Sequence, residues 1–282
     1  MNSTLQLPQP TWFVGCGNMG GAILEGWRLA GIDCGAVTVI RPSGTPVDGV
    51  RTVTSIADAG QPPQLVVLAF KPQKLDEIAL ELRSRLSSKT VVLSLLAGIE
   101  AASLRERFPG VAEIVRAMPN LPVAVRRGVT GLYGEGLSDA VTRQVNDLFT
   151  ALGFAMWMAD EAKLGALGAV AGSGPAYVAR FTDALAKAAV KRGLTEEIAS
   201  TIARETVLGT AWMAATTHED SASIARRVAS PNGTTEAGLA VLDGDRVLDE
   251  LIAVTIDAAV RRGTELANEA KLASLEAPER LH

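Results

Sequence analysis

The residues best suited to chemistry in this sequence begin with a glycine-rich turn near the N-terminus, Gly15–Gly20 (GCGNMG), which follows an apolar run and opens an apolar helical segment. In such a turn the first glycine permits a tight bend and the second lets the backbone approach a pyrophosphate. The third glycine allows the helix to pack closely on the strand, and the helix N-terminus faces the phosphates. The strand before and the helix after favour a dinucleotide-binding fingerprint over its alternative, a purely structural turn.

The residues after the second predicted strand bear on which dinucleotide would bind. Sites for NAD usually carry an acidic residue there, which contacts the ribose hydroxyls. Here the strand is followed by Arg41, Pro42 and Ser43, and the next carboxylate is that of Asp48. The Arg41 guanidinium suits a 2′-phosphate, and the Ser43 hydroxyl can assist it. The pattern predicts NADPH, with NADH as the alternative if Arg41 is only a solvated charge at the strand end.

Two further turns, Ala69–Pro72 and Leu96–Gly98, each follow an apolar run that predicts a buried strand. Ligands of open α/β sheets bind outside the carboxyl ends of the strands, where such turns lie. Both turns are therefore candidate walls of the cofactor site. Ordinary strand-to-helix connections are the alternative.

The most informative stretch of the second half is Ser230–Thr235 (SPNGTT), which is followed by a short apolar helix. Asn232 and Gly233 suit a turn with positive φ, after which the N–H groups of a new helix point outward. Such a turn with a helix N-terminus binds a carboxylate or a phosphate, and Thr235 adds a hydroxyl. A plain helix cap is the alternative.

Cysteine and histidine are too few for most of the chemistry they support. The cysteines are Cys16 and Cys34 and the histidines are His218 and His282, so the sequence predicts neither a disulfide framework nor a metal site. Cys16 lies beside a helix N-terminus, which can acidify a thiol. Its position in the glycine pattern tolerates many side chains, and we interpret Cys16 as a spectator.

The elements that position these residues differ between the two halves of the chain. In the first half short apolar runs, typical of strands buried on both faces of a parallel sheet, alternate with helical patterns. The predicted strands are Thr11–Val14, Val37–Ile40, Leu65–Phe70, Thr90–Leu95, Ala112–Arg116, Val129–Tyr133 and Phe154–Met158. Beyond residue 159 the predicted elements are helices: Pro175–Arg192, Thr195–Thr217, Ser221–Ala229 and Val247–Ala270.

The predicted fold is α/β, with an N-terminal Rossmann-type doubly wound sheet in residues 1–159 and an all-helical domain in residues 160–282. The broad apolar faces of the helices exceed what one small domain needs, so we expect a homodimer or an assembly of dimers. Basic and acidic residues number 27 and 31, giving a formal charge of −4, and 4% of residues are aromatic. This balance argues against a nucleic-acid or anionic-membrane partner. From the motifs above we expect a small-molecule substrate. The N-terminus lacks the pattern of a secretory signal, and we expect a cytoplasmic protein.

Taken together, these motifs resemble pyrroline-5-carboxylate reductases along most of the chain. The matching pieces are VGCGNMGGAI at Val14–Ile23, AFKPQ at Ala69–Gln73, RAMPNLPVAV at Arg116–Val125, GSGPAY at Gly172–Tyr177 and SPNGTTEAGLAVLD at Ser230–Asp243. The last is the most specific. The resemblance implies an N-terminal Rossmann domain, a helical dimerisation domain, and NAD(P)H-dependent reduction of 1-pyrroline-5-carboxylate to proline.

The resemblance also implies roles for individual residues. The loop at Gly233, Thr234 and Thr235 would hold the substrate carboxylate through backbone N–H groups, with the Thr235 side chain beside the ring nitrogen. Glu161 would approach the cofactor. The other implied cofactor contacts are Val14, Gly15, Cys16, Gly17, Asn18, Met19, Ala69, Phe70, Lys71, Pro72, Leu95, Leu96 and Ala97.

Departures from the family pattern define the alternatives. Asn232 replaces the usual first glycine of the substrate loop, but asparagine tolerates the left-handed conformation. Arg227 occupies a position more often filled by an amide. A related imine or β-hydroxyacid reductase is the alternative enzyme. Hydroxyacid enzymes of this plan typically rely on a lysine of the helical domain, and Lys163, Lys187 and Lys191 are available but lie in no matching motif. A non-catalytic NADPH-binding sensor is the alternative from another class.

Overall fold

A computed structural model describes residues 5–276 of the chain. The chain divides into two compact units. The first contains the N-terminal part through Ser173 and takes up the chain again from Ala259, and the second is Gly174–Ala258. The predicted division between residues 159 and 160 stays a prediction.

The first unit is built on an eight-stranded sheet. Its strands are β1 (Thr11–Val14), β2 (Val37–Ile40), β3 (Arg51–Val53), β4 (Leu65–Leu68), β5 (Val91–Ser94), β6 (Glu113–Pro119), β7 (Gly128–Tyr133) and β8 (Gly153–Trp157). They lie in the order β3-β2-β1-β4-β5-β6-β7-β8, and all neighbours are parallel except β6 and β7. This order is that of a doubly wound sheet, the type of sheet predicted from the sequence, extended by the last two strands.

The apolar runs form central strands because side chains on both of their faces are buried. Phe13 of β1 packs into one core cluster, whereas Trp12 and Val14 pack into a second cluster on the opposite face. Helices cover both faces, as parallel sheets require. They are α1 (Asn18–Leu29), α2 (Leu75–Leu82), α3 (Ala101–Arg107), α4 (Asp139–Thr150) and α5 (Glu161–Leu167).

The second unit consists of helices. They are α6 (Gly174–Val190), α7 (Glu196–Thr217), α8 (Ser221–Val228), α9 (Thr234–Asp243) and α10 (Val247–Glu276), the last of which continues past the unit boundary. Local caps set two of the starts: Thr195 accepts a hydrogen bond from the Ile198 N–H, and Asp220 accepts one from the Ser223 N–H. The prediction of a sheet domain followed by a helical domain is confirmed.

Some elements of the structure were not predicted from the sequence because they lack a repeating apolar pattern. The edge strand β3 is three residues long and partly exposed, so it shows no apolar run. In α3, Leu104 is the buried side chain, which gives no helical repeat. A turn of π-helix, Gly168–Gly172, follows α5 directly. Within residues 5–276, no helix is both long enough and apolar enough to cross a bilayer.

Candidate cofactor and substrate sites

Four loops of the first unit start at the same edge of the sheet. Hydrogen bonds continue the strand pairing one residue beyond the strands: Gly15 N–H donates to the Ile40 carbonyl (2.8 Å) and Ala69 N–H to the Val14 carbonyl (2.8 Å). Leu95 N–H donates in the same way to the Leu68 carbonyl (3.0 Å). The predicted cofactor contacts after β1, β2, β4 and β5 therefore begin side by side, at the carboxyl ends of parallel strands.

The glycine turn after β1 has the conformation that its sequence predicts. Gly15 has φ of +79°, and a Cβ there would lie 2.6 Å from the Ala69 carbonyl oxygen. At Gly17, by contrast, a Cβ would meet nothing within 4 Å, so the backbone is open to a ligand. Helix α1 starts after Gly17 without a side-chain cap and without an acidic residue in its first turn. Free N–H groups and the positive end of the helix dipole suit a pyrophosphate.

Arg41 and Ser43 lie together in the loop after β2. Arg41 N–H donates to the Val53 carbonyl of β3 (2.9 Å), and its side-chain Nε donates to the Ser43 Oγ (3.0 Å). The nearest carboxylate along the chain, Asp48, is paired with Arg28 at 3.1 Å. The loop thus presents a cation beside a hydroxyl, a combination that can hold a phosphate monoester.

The Cys16 side chain is buried behind the glycine turn. Burial raises the pKa of its thiol, and the charge of Arg41 lowers that pKa by a smaller amount. A buried thiol with a raised pKa is a poor nucleophile.

The turns after β4 and β5 differ in what they expose. Lys71 is exposed and precedes a short 3₁₀ turn, while Phe70 packs partly against the core. The Leu96 side chain is buried, so its backbone would have to make the predicted contact, whereas Ala97 is exposed. The positive φ of Gly98 (+75°) then turns the chain toward α3.

Arg116, the first residue of the RAMPNLPVAV motif, is a functional candidate that the sequence did not predict. The Arg116 Nη1 lies 2.6 Å from the Glu161 Oε1, and the two side chains are 8% and 23% exposed. The same carboxylate oxygen accepts a hydrogen bond from the Ala101 N–H at 2.7 Å. The feature of the sequence that could have indicated Arg116 is its position as a charged residue at the end of an apolar run that predicts a strand.

Asn120 is a second functional candidate that the sequence reasoning missed. Its buried amide donates to the Ala171 carbonyl (2.9 Å) and accepts from the Val129 N–H (2.8 Å). It thereby connects the turn between β6 and β7 to the π-helical turn. Such π-helical turns are frequent at functional sites.

Tyr133 lies beside the Arg116–Glu161 ion pair, because it is the residue of β7 that faces Arg116 of β6 in the strand register. A hydrogen bond with the Glu135 carboxylate raises the pKa of Tyr133 to about 12. The Tyr133 phenol therefore keeps its proton through the physiological pH range and adds no charge beside the Arg116–Glu161 ion pair.

The predicted substrate loop, Ser230–Thr235, lies in the second unit. Asn232 has φ of +57°, which confirms the left-handed turn expected there. The Asn232 N–H donates to the Glu236 carboxylate (2.7 Å), and the Gly233 N–H donates to the Ser230 carbonyl (2.9 Å). Helix α9 then begins at Thr234 without a side-chain cap, and Thr235 is half-buried. The start of α9 is the part of the loop best able to bind an anion.

Three of the charged side chains that departed from the family pattern or suggested an alternative enzyme, Arg227, Lys187 and Lys163, are paired with neighbours. Arg227 Nη2 lies 2.8 Å from the Glu219 carboxylate. Lys187 Nζ lies 2.7 Å from Asp183 and Lys163 Nζ lies 3.4 Å from Asp160, all four being exposed. Neither lysine has the buried, unpaired setting expected of a catalytic lysine.

Two family models match the chain. One, described as pyrroline-5-carboxylate reductase dimerisation, matches residues 161–266, and the other, described as NADP oxidoreductase coenzyme F420-dependent, matches residues 12–98. A curated pyrroline-5-carboxylate reductase of Pseudomonas aeruginosa is 35% identical over 91% of this chain and 96% of its own length. That of Escherichia coli is 33% identical over 82% of this chain and 88% of its own length.

Solved structures show the same similarity in three dimensions. A pyrroline-5-carboxylate reductase from Coxiella burnetii has a TM-score of 0.84 at 34% identity, with 92% of this chain and 99% of that chain covered. A pyrroline carboxylate reductase from Plasmodium falciparum, solved with NADP bound, has a TM-score of 0.82 at 24% identity, with 91% and 97% covered. The second similarity is one of fold.

Proposed function

This chain belongs to the pyrroline-5-carboxylate reductase family, and we propose that it reduces 1-pyrroline-5-carboxylate to L-proline with NADPH, the last step of proline biosynthesis. The observation that carries the oxidoreductase assignment is the Gly15–Gly20 turn. Its first glycine is required by a positive φ and by the close Ala69 carbonyl, and its second leaves the backbone open. Those are the two properties that a pyrophosphate-binding turn needs.

NADPH fits the loops at the sheet edge. The Gly15–Met19 turn would hold the pyrophosphate, and Arg41 with Ser43 would hold the 2′-phosphate. Ala69–Pro72 and Leu95–Ala97 would line the rest of the cofactor. NADH remains the alternative donor, because Arg41 discriminates only if the phosphate reaches it.

The substrate carboxylate is assigned to the start of α9. Since the Gly233 N–H already donates to Ser230, the N–H groups of Thr234 and Thr235 are the donors we assign to the carboxylate. Gly233 contributes the turn that aims them. A carboxylate at a helix N-terminus also gains from the helix dipole.

When bound, NADPH supplies a hydride to the ring carbon of the substrate's C=N bond. The chain's own task is to hold the ring in place and to keep a hydrogen bond on its nitrogen. We assign that hydrogen bond to the Thr235 hydroxyl. A protonated imine is already electrophilic, so the site needs no strong general acid, and His218 ends helix α7 in a left-handed conformation outside the loop.

We propose that the helical part forms a homodimer, which can assemble further. A family model described as pyrroline-5-carboxylate reductase dimerisation matches residues 161–266. Apolar side chains of α6 are exposed at helical spacing, among them Val178 (52%), Phe181 (55%) and Leu185 (38%). Burying such a stripe in a twofold interface would remove it from water. A cytoplasmic location remains a proposal from the sequence.

The proposed function is tested by mixing purified protein with 1-pyrroline-5-carboxylate and following oxidation of NADPH and of NADH in parallel, with proline quantified as product. Turnover to proline that is faster with NADPH supports the reaction and the role of Arg41. Tight NADPH binding without proline formation would leave the dinucleotide site standing and refute the substrate assignment. A panel of other cyclic imines and β-hydroxyacids would then identify the alternative enzyme.

A further inference from the structure

Glu161 connects three separate elements of the first unit. It is the first residue of α5, and its Oε1 accepts hydrogen bonds from the Arg116 guanidinium of β6 and from the Ala101 N–H, the first residue of α3. Helix α3 has no side-chain cap of its own and no acidic residue in its first turn. Glu161 therefore caps α3 from 60 residues away. We call Arg116, Glu161 and the Ala101 N–H the Glu161 bridge.

The Glu161 bridge lies at the far end of a proposed cofactor wall. Arg116 pairs in register with Ser94, the last residue of β5, and the chain continues from Ser94 into Leu95–Ala97. After that segment the chain reaches Ala101. The segment is thus held at its start by the sheet, through the Leu95 N–H bond to Leu68, and the chain that leaves it is held by Glu161 at Ala101, four residues after Ala97.

The energetics favour a positional role over a purely stabilising one. The two side chains are mostly removed from water, at 8% and 23% exposure. The cost of desolvating such a pair largely offsets its Coulomb attraction, and apolar replacements are often as stable. What an ion pair of this kind supplies better than apolar contacts is geometry, since a short charge-assisted hydrogen bond fixes the distance between its partners.

The sheet order indicates which half of the cofactor would be affected. The dinucleotide crosses the sheet at the glycine turn after β1. Arg41, proposed for the adenosine 2′-phosphate, follows β2 on one side of β1, whereas Leu95–Ala97 follow β5 on the other side. The segment held by the Glu161 bridge therefore lies toward the nicotinamide half.

We propose that Arg116 and Glu161 are positioning residues that fix Leu95–Ala97 against the nicotinamide half of NADPH, and so set the position from which the hydride leaves. This inference rests on the proposed function for its reaction, but its binding consequences do not require the substrate.

The test compares two nucleotides by isothermal titration with wild-type protein and Glu161→Gln. NADPH carries both halves, whereas adenosine 2′,5′-bisphosphate carries only the half assigned to Arg41. We expect Glu161→Gln, which keeps the acceptor oxygen but loses the charge that attracts Arg116, to bind NADPH about tenfold more weakly and to bind the bisphosphate as the wild type does. The proposal would be overturned if the affinities for both nucleotides fell equally, or if neither affinity changed.

Two further readouts separate positioning from stability. Amide hydrogen exchange at Ala101 should quicken in Glu161→Ala, which removes the acceptor, and should be less affected in Glu161→Gln. With substrate, turnover of Glu161→Gln should fall roughly 10- to 100-fold, as expected for a misplaced reacting group. NADPH deuterated at the transferred position should then give an isotope effect on kcat at least as large as in the wild type. Unchanged turnover would contradict the proposal.

The matched control is an ion pair at the other end of the same helix. Arg107, the last residue of α3, lies 2.7 Å from Asp76 of α2, and the side chains are 16% and 43% exposed. Asp76→Asn should leave the nucleotide comparison unchanged. If Glu161→Gln fails to fold, Arg116→Lys, which keeps the charge but loses the guanidinium geometry, carries the same comparison. A wild type that makes no proline would refute the proposed function, whereas the nucleotide comparison would still decide this inference.

Discussion

Thr235 lies at the second position of α9, directly after the turn made by Asn232 and Gly233. If its hydroxyl orients the ring nitrogen, Thr235→Ala should lower kcat by roughly 100-fold, similar to the loss of one preorganised donor in a reacting site. Its NADPH affinity should stay that of the wild type, because the proposed cofactor contacts lie in the first unit. Steady-state kinetics and titration of NADPH fluorescence measure the two effects.

The control for Thr235 is Thr210→Ala. It removes an exposed hydroxyl whose hydrogen bond, within the described part of the chain, is to the Thr206 carbonyl of the same helix α7 at 2.8 Å. Its kcat should match that of the wild type. An equal loss of turnover and of NADPH affinity in Thr235→Ala would refute the assignment of its hydroxyl to the substrate.

In the proposed site, Arg41 would govern the choice between the two nicotinamide cofactors. In Arg41→Ala the KM for NADPH should rise roughly 10- to 100-fold, because a charge-assisted hydrogen bond to phosphate is lost. The KM for NADH should change little, since NADH has no 2′-phosphate. Parallel kinetics with both cofactors, and with exposed Arg83→Ala as control, measure this. A matching rise for NADH would show that Arg41 does not read the phosphate.

Cys16 offers a prediction from a pKa. Burial raises the pKa of its thiol, so the folded protein holds less thiolate at a given pH than the unfolded chain does. In a Cys34→Ala background, alkylation of Cys16 by iodoacetamide at neutral pH should be slow in the folded protein and fast in urea. Its rate in the folded protein should increase as the pH rises through the raised pKa. Fast alkylation at neutral pH would contradict the spectator interpretation.

At the scale of elements, one buried amide links the π-helical turn after α5 to the sheet. Asn120 binds the Ala171 carbonyl of the π-helical turn and the Val129 N–H of β7 from a buried position. Asn120→Ala should lower the free energy of unfolding by about 1–3 kcal/mol, because buried backbone groups lose their partner. Urea unfolding measures this loss.

A matched variant is Asn146→Ala, which removes a half-buried amide from α4. Among the described residues, no hydrogen bond is recorded for that side chain, so the loss of unfolding free energy should be smaller. Equal losses in the two variants would show that the Asn120 hydrogen bonds do not hold the π-helical turn.

At the scale of the whole molecule, the exposed apolar stripe of α6 leads to a prediction about assembly. Phe181→Asp should convert the proposed dimer to monomer at micromolar concentration, because an interface that buries the stripe would also bury the new charge. Analytical ultracentrifugation measures the mass. Leu80→Asp is the control, since Leu80 is similarly exposed (57% against 55%) but lies on α2 of the first unit. A wild type that is already monomeric, or a Phe181→Asp variant that stays dimeric, would refute this interface.

Local requirements of the chain were readable from the sequence alone. Gly15 must adopt a positive φ, Asn232 tolerates one, and uninterrupted apolar runs such as Leu65–Leu68 must be buried on both faces. Each of these depends on a residue and its near neighbours, through backbone sterics or through hydrophobic periodicity. They are enough to identify the sheet domain, the helical domain and the two candidate loops.

Only the tertiary structure decided which distant polar groups meet. Arg116 and Glu161 are 45 residues apart in the chain. They meet because Arg116 lies on β6 beside the end of β5, and helix α5 begins with Glu161 within hydrogen-bond distance of it. The Gly233 N–H proved to be engaged by Ser230, which shifts the proposed carboxylate donors to the next two residues. No local pattern encodes such pairings, because a hydrogen bond between remote side chains depends on strand order and register, which the whole core fixes together.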